Sequence, residues 1–257
     1  EFRRVLFRSN NIELINNDPV EKVDKENKIV TTSKGIEVEY DICIFATGSK
    51  AFVLPIPGSN LPSVIGWRTI DDTNKMIEIA QTKKRAVVIG GGLLGLECAR
   101  GLLDQGMEVT VLHLADWLME MQLDRKAGEM LKADLEKQGM KIELQANSKE
   151  IIGDKDVEAI KLADGRVIET DLVVMAVGIR PYTEVAKDSG LDVNRGIVVN
   201  DYMQTSDSHI YAVGECAEHD GKVYGLVAPL YEQGKVLADY LTGKETKGYK
   251  GSRSEEH

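Results

Sequence analysis

Apolar and polar residues alternate through the first forty positions and predict short, half-buried strands. Lys28–Thr32 and Ile36–Tyr40 alternate around Lys34-Gly35, the pattern of a hairpin. A short strand is expected at Asn11–Leu14, and Val20–Asp24 leads into a turn at Glu26-Asn27. Asp41–Phe45 is apolar after its leading acid and predicts a strand that ends at Ala46-Thr47-Gly48. Pro55, Pro57 and Pro62 mark an extended linker, and helical spacing follows from Thr69 to Gln81. Ala86–Ile89 has no polar alternation and reads as a strand buried on both faces. After three glycines, Leu94, Cys98, Gly101 and Leu102 share one helical face, and Gly106 stops that helix. Val109–Leu112 is a second buried strand. Asp124 is placed to cap an amphipathic helix through Gln138. Lys141–Leu144 is the next strand. Antiparallel strands follow at Lys149–Ile152, Glu158–Leu162 and Arg166–Glu169, and then a buried strand at Leu172–Met175. Gly196–Asn200 and Ile210–Val213 are strands, and Pro229 opens a helix to about Leu241.

Two patterns turn this string of elements into a fold. The first is strand, Gly90-x-Gly92-x-x-Gly95, helix, strand, which is the dinucleotide-binding βαβ unit in its required context. Gly90 permits the tight turn, Gly92 lets a pyrophosphate approach the backbone, and Gly95 lets helix and strand pack closely. The second is a repeat. Gly35, Glu39, Asp41, Ala46 and Gly48 match Gly165, Glu169, Asp171, Ala176 and Gly178 at a constant offset of 130 positions. A repeated supersecondary unit implies two domains of similar topology. The expected fold class is therefore α/β: two Rossmann-like dinucleotide-binding domains with parallel sheets and antiparallel β-meander crossovers.

Composition narrows the partners. The chain has 257 residues, 42% hydrophobic and 29% charged, with net charge −10. That charge argues against nucleic acid and anionic membrane, and no apolar run is long enough to span a bilayer. Cys43, Cys98 and Cys216 are far apart and form no metal or redox pair, which fits buried cysteines of a reducing cytoplasm. No metal site and no side-chain general base are expected. The two ends read as foreign. Arg253–His257 and Val5–Ser9 are the translations of one short DNA and of its reverse complement, which is the mark of a sequencing adaptor. Residues 1–9 and 253–257 are set aside on that ground, and the natural protein is expected to extend beyond both ends.

Ala46-Thr47-Gly48, Val177-Gly178-Ile179-Arg180-Pro181 and Tyr211-Ala212-Val213-Gly214-Glu215 resemble motifs of the pyridine nucleotide-disulfide oxidoreductase superfamily, although its second flavin motif usually carries Asp where this chain has Glu215. Four further stretches narrow the likeness: Gly90–Glu97, Val111–Leu114, Leu118–Asp124 and Gly214–His219, together with Tyr224–Gln233. They are similar to the large-subunit family of assimilatory NAD(P)H-dependent nitrite reductases. The resemblance implies an FAD-binding domain at 10–75 and 185–245, lacking its N-terminal part, and an NAD(P)H-binding domain at 76–184 inserted into it. Residues 246–252 would begin a following module. Iron–sulfur and sirohaem groups are expected only in a C-terminal part that this chain does not contain.

The same resemblance assigns site residues. Thr47 and Gly48 border FAD, Glu215 accepts from the ribityl hydroxyls with Gly214 beside it in the same flavin motif, and Pro229, Leu230 and Tyr231 point a helix N-terminus at the flavin. Gly90, Gly92, Gly95, Glu97, His113 and Gly178 serve the pyridine nucleotide. Glu97 is either a helix-dipole carboxylate or a group near the nicotinamide. His113 stands where an acid would grip the adenine ribose, Asp116 is an alternative, and no Arg follows to hold a 2′-phosphate, so NADH is expected over NADPH. The Leu118–Met121 run reads as core. The implied function is electron entry: hydride from NADH to FAD, then electrons to iron–sulfur and sirohaem centres that reduce nitrite to ammonia. Its partners are the nucleotide, downstream redox modules of the same chain and a possible small subunit. The alternatives are an electron-transfer subunit of nitrate reductase, a rubredoxin- or ferredoxin-type NADH reductase, or, in a different class, a flavoprotein that senses nucleotide without turnover.

Overall fold

The computed structural model describes residues 10–251. The two segments read as adaptor-derived lie outside the described residues. In chain order the first part forms strands β1 (Val20–Asp24), β2 (Ile29–Thr32), β3 (Glu37–Glu39), β4 (Cys43–Phe45) and β5 (Ser49–Ala51). The middle forms β6 (Val64–Gly66), helix α1 (Ile70–Ala80), β7 (Arg85–Ile89), α2 (Leu93–Asp104), β8 (Glu108–Leu112), α3 (Arg125–Lys137) and β9 (Lys141–Glu143). It continues through β10 (Ser148–Ile152), β11 (Ala159–Leu162), β12 (Val167–Glu169), β13 (Leu172–Met175) and β14 (Ile179–Pro181). The last part contains a short helix α4 (Glu184–Asp188), β15 (Ile197–Val199), β16 (Ile210–Ala212), a 3-10 turn at Gly214–Cys216, β17 (Ala217–His219), β18 (Lys222–Val223) and α5 (Val227–Leu241).

The chain divides into two compact units, one of residues 10–49 and 181–251 and one of residues 50–180 among those described. The proline-marked segment, which the sequence reads as a linker, is docked onto the second unit. There β6 pairs in parallel with β13, and the Ile151 N–H donates to the Pro57 carbonyl at 2.8 Å.

The second unit is built on a five-stranded parallel sheet in the order β6-β13-β7-β8-β9. Its apolar strands serve two cores at once, which explains their lack of polar alternation. Ala86, Val88, Leu172 and Val174 pack with Cys98, Ala99 and Leu102 of α2. Val87, Ile89, Val173 and Met175 face the opposite way, onto Ile151, Ile160 and Leu162 of the β10-β11-β12 meander. Helix ends follow the local chemistry. Thr69 and Asp72 form a reciprocal capping box at α1, and the Asp124 carboxylate accepts from the Ala127 N–H at 2.8 Å at α3. The buried face of α2 holds Gly95, Leu96, Cys98, Ala99 and Leu102; Leu94 and Gly101, expected on that face, are exposed.

The first unit repeats the scheme with fewer strands. Its β1-β2-β3 meander precedes β4, which runs parallel to β16. Phe45, Ile197, Met203, Ile210 and Leu237 form its core. Gly35 and Gly165 turn the equivalent hairpins at φ 76° and 91°, and Gly48 and Gly178 end the equivalent strands at φ 66° and 102°. Two strand expectations fail here. Residues 11–14 form no strand; Ile12 and Leu14 are half exposed and have no strand partner to pair with. The Asp41–Phe45 strand shortens to β4, where Ile44 is 46% exposed.

Asp171, one of the repeated residues, anchors the start of the central strand. Its carboxylate accepts from the Arg85 N–H at 2.9 Å and from the Arg85 guanidinium at 3.1 and 3.2 Å, while Arg85 also pairs with Glu169. The Arg85 guanidinium hydrogen bonds hold the Asp171 carboxyl below the usual carboxylate range, with two backbone amides assisting. A depressed carboxylate stabilises the fold above its unfolded pKa and ceases to do so as pH falls through its folded pKa. Asp171→Asn is therefore expected to cost about 2 kcal/mol near neutral pH, the scale of hydrogen bonds to a charged group. In thermal melts, the gap between Asp171→Asn and the unmodified protein should be flat at neutral pH. It should shrink below about pH 4, the range of an unperturbed Asp. A gap that stays constant down to pH 2 would rule the ionic role out.

Candidate nucleotide and flavin sites

The turn from β7 into α2 meets the geometric demands of anion binding. Gly90 has φ 121°, and a Cβ there would lie 2.3 Å from the Ala176 carbonyl oxygen. A Cβ on Gly95 would lie 2.0 Å from the Gly90 carbonyl oxygen, so glycine is required for α2 to approach the strand. Gly92 differs from both. It has an ordinary φ of −84°, and a Cβ there would meet no protein atom within 4 Å. The protein does not demand glycine at this position, yet the space before it is open. Gly92 is also the N-cap of α2, and no side chain caps the first-turn amides. That leaves a positive helix end facing open space. β8 lies beside β7 in parallel register, Val88 opposite Val111 and Ile89 opposite Leu112.

A cleft of about 310 Å³ lies at the carboxyl ends of β6 and β13, with Leu94, Ala176, Gly178 and Ile179 among its lining residues, together with Arg68 and Thr69 before α1. Gly178 thus shares a cleft with the start of α2. A Cβ on Gly178 would touch nothing, so its positive φ is what favours glycine from the protein's side. Glu97 is not drawn in. It is exposed at the fifth residue of α2 and lines a separate cleft of about 160 Å³ with Trp67, Met76 and Cys98. His113 is buried, and its two ring nitrogens are both occupied: the Gly91 N–H donates to Nδ1 at 3.0 Å, and Nε2 lies 2.9 Å from a Glu120 carboxylate oxygen. Asp116 is occupied too. Gln145 and Arg125 bond its two oxygens and hold its carboxyl below the usual range.

In the first unit, the residues expected at the flavin are tied together by side chains that the sequence reading did not single out. The Ser49 hydroxyl donates to Glu215 at 2.9 Å, and the Gly214 N–H donates to the Gln233 side-chain carbonyl at 2.9 Å. Glu215 is a carboxylate only 9% exposed, and Gln233 is fully buried. Gln233 was detectable, since it sits four residues after Pro229 and four before Leu237, on the buried face of α5. Ser49 and Glu120 carried no such periodic signal. Pro229 is buried, Leu230 half-buried and Tyr231 78% exposed, in the first turns of a helix that has no side-chain cap. The Thr47 hydroxyl donates to the Tyr182 carbonyl at 2.9 Å, so this side chain ties two chain segments together. Thr47 also borders an apolar cleft of about 360 Å³, with Cys43, Ile44, Phe45 and Val185 among its lining. The Leu118–Met121 run is core only in part: Leu118 is fully buried and Met121 is 78% exposed. Burial pushes the Cys43 thiol up to about 11 and the Cys98 thiol up to about 12, which leaves both unreactive at neutral pH.

Comparison with known proteins agrees with this architecture. The pyridine nucleotide-disulphide oxidoreductase family matches residues 4–234. The chain is 58% identical over 246 residues to the nitrite reductase [NAD(P)H] of Bacillus subtilis, covering 96% of this chain and 31% of that protein. It is 45% identical to the assimilatory nitrate reductase electron transfer subunit of the same organism, covering 96% of this chain and 32% of that one. A solved ferredoxin reductase from Rhodopseudomonas palustris superposes with a TM-score of 0.90 at 31% identity, over 96% of this chain and 62% of that one. The chain therefore spans about a third of the length of the curated relatives it matches. The matched family comprises NAD(P)H-dependent FAD oxidoreductases. By sequence, fold and the geometry of its glycine turn, the chain belongs to the pyridine nucleotide-disulphide oxidoreductase family.

Proposed function

We propose that the chain is the electron-entry part of a nitrite reductase, in which NADH binds the second unit, FAD binds the first, and electrons pass onward to iron–sulfur and sirohaem centres. The observation that carries this reading is the open Gly92 face at an uncapped helix start, bounded by two glycines that packing requires. Such a turn offers backbone N–H groups to a pyrophosphate without a desolvated side chain in the way. The residues of the first unit fit a flavin. Glu215 supplies a buried acceptor for ribityl hydroxyls, Gly214 takes φ 84°, and α5 presents a free N-terminal turn. When both cofactors are bound, hydride chemistry belongs to nicotinamide and flavin, and the protein supplies orientation and charge. No side chain need act as a general base.

The identity to a nitrite reductase supports nitrite, reduced to ammonia, as the final acceptor. The second relative keeps a nitrate reductase electron-transfer role as the alternative. We place the protein in the cytoplasm, where three free cysteines persist, and no helix among the described residues is long and apolar enough to cross a membrane. Its partners in this reading are downstream redox modules and a possible small subunit. The test is NADH oxidation by the protein together with its downstream modules, with nitrite or nitrate as sole acceptor. Nitrite-dependent oxidation that yields ammonium is expected. Oxidation that depends on nitrate and ignores nitrite would move the assignment to the alternative.

A further inference from the structure

The position after β8 is where a dinucleotide-binding βαβ unit places the acid that grips the adenosine ribose. Here that position is His113, 7% exposed, and its ring is fully committed. A backbone amide can only donate, so the Gly91 N–H leaves Nδ1 bare and puts the ring proton on Nε2. Nε2–H then donates to Glu120 at 2.9 Å. The loop carrying Glu120 is pinned to the same glycine, because the Met119 N–H donates to the Gly91 carbonyl at 3.0 Å. Met119 adopts φ 57°, and Leu118 is buried against Gly91, where a Cβ would lie 2.7 Å from Leu118 Cδ2 and from His113 Cγ. One glycine inside the turn thus fixes both the imidazole and the loop that follows.

The carboxylate at the end of this chain of contacts is not spent. The Glu120 side chain is 34% exposed, and among the described residues it has no other hydrogen-bond or ion-pair partner. Its rivals are occupied. Both Asp116 oxygens are bonded, and Arg125, the cation at the start of α3, pairs with Asp116 at 3.1 Å and stacks over Trp117 at 4.9 Å.

We infer that Glu120 is the residue that selects the dinucleotide, and that His113 is its positioning residue. The inference rests on the reading that the Gly90–Gly95 turn binds a pyridine dinucleotide. The Glu120 oxygen not bonded to His113 accepts from the 2′-hydroxyl of the adenosine ribose, and its charge rejects a 2′-phosphate. His113 touches no ligand in this arrangement; it aims the acid and locks the turn.

Equilibrium titrations with NADH and with NADPH test this, run on the unmodified protein and on Glu120→Gln, Glu120→Lys and His113→Gln, with unfolding curves for each. The unmodified protein is expected to bind NADH more tightly. Glu120→Gln should narrow that preference by about tenfold, the scale of one charge-assisted hydrogen bond. Glu120→Lys should bind NADPH more tightly than NADH. His113→Gln retains an acceptor for the Gly91 amide but releases Glu120, so it should narrow the preference while still binding both nucleotides; a merely structural role would weaken both equally. Nucleotide binding with an unchanged NADH-to-NADPH ratio in both Glu120 variants would overturn this inference and leave the proposed function standing. An unmodified protein that favours NADPH would overturn it as well. Absence of binding to either nucleotide would overturn the proposed function itself.

Discussion

Gly95→Val is expected to remove nucleotide binding and to destabilise the second unit by more than about 3 kcal/mol. The obstacle is steric. The first atom of any side chain at Gly95 would lie 2.0 Å from the Gly90 carbonyl oxygen. The obstacle is backbone, so no rotamer relieves it. Either α2 retreats from β7, opening the core in which Leu96, Ala99 and Leu102 are buried, or the Gly90 turn is pushed out of shape. Overpacking a formed core commonly costs about 1–3 kcal/mol, and a clash with main chain belongs above that range. Urea unfolding and NADH titration on the same preparations check both halves. A variant that folds and binds as well as the unmodified protein would contradict the assigned packing.

Gly92→Ala is expected to separate function from stability. The residue has φ −84° and ψ −176°, which alanine adopts freely, and its Cβ would enter open space. Alanine is a poorer N-cap than glycine, but the difference is part of the roughly 1 kcal/mol that a side-chain cap is worth, so unfolding should change by less than about 1 kcal/mol. Binding should suffer more. The added methyl would stand where a pyrophosphate approaches the helix start, and a loss of roughly tenfold or more in NADH affinity is expected. Equal affinity in Gly92→Ala and the unmodified protein would show that no phosphate reaches this turn. Together the two glycines distinguish a residue required by packing from one required by a ligand.

Most of the second unit was legible because its chemistry is local. Thr69 and Asp124 cap their helices within a residue of expectation, since capping depends only on the first turn. The glycine turn, the parallel neighbour β8 and both meander hairpins were also readable, from turn residues and from the loss of polar alternation in doubly covered strands. Non-local features escaped. The proline-marked segment looked like a linker, but β6 within it finds β13, which lies over a hundred residues later in the chain. The short helix α4 is five residues long and has no periodicity to detect. Leu94 kept helical phase with Cys98 and Leu102, yet it sits at the helix start where the core has ended, and it faces the cleft instead.

The candidate sites divide in the same way. Glycines announce themselves, because a backbone demand has few solutions. Polar side chains do not. His113 occupies the expected position after β8, but its bonds run to Gly91 and Glu120, and both depend on how the following loop closes. Ser49 meets Glu215 across 166 positions of chain. Such partnerships are set by the tertiary fold and leave no spacing in the sequence.

Anaerobic stopped-flow mixing of the FAD-loaded full-length protein with NADH tests the central claim most directly. The flavin should lose its oxidised absorbance at a rate that saturates with NADH concentration. At a fixed subsaturating concentration, Gly92→Ala should slow that loss by roughly tenfold or more, in step with its weakened binding. A flavin that stays oxidised while NADH is demonstrably bound would contradict the assignment of this chain as an electron-entry module.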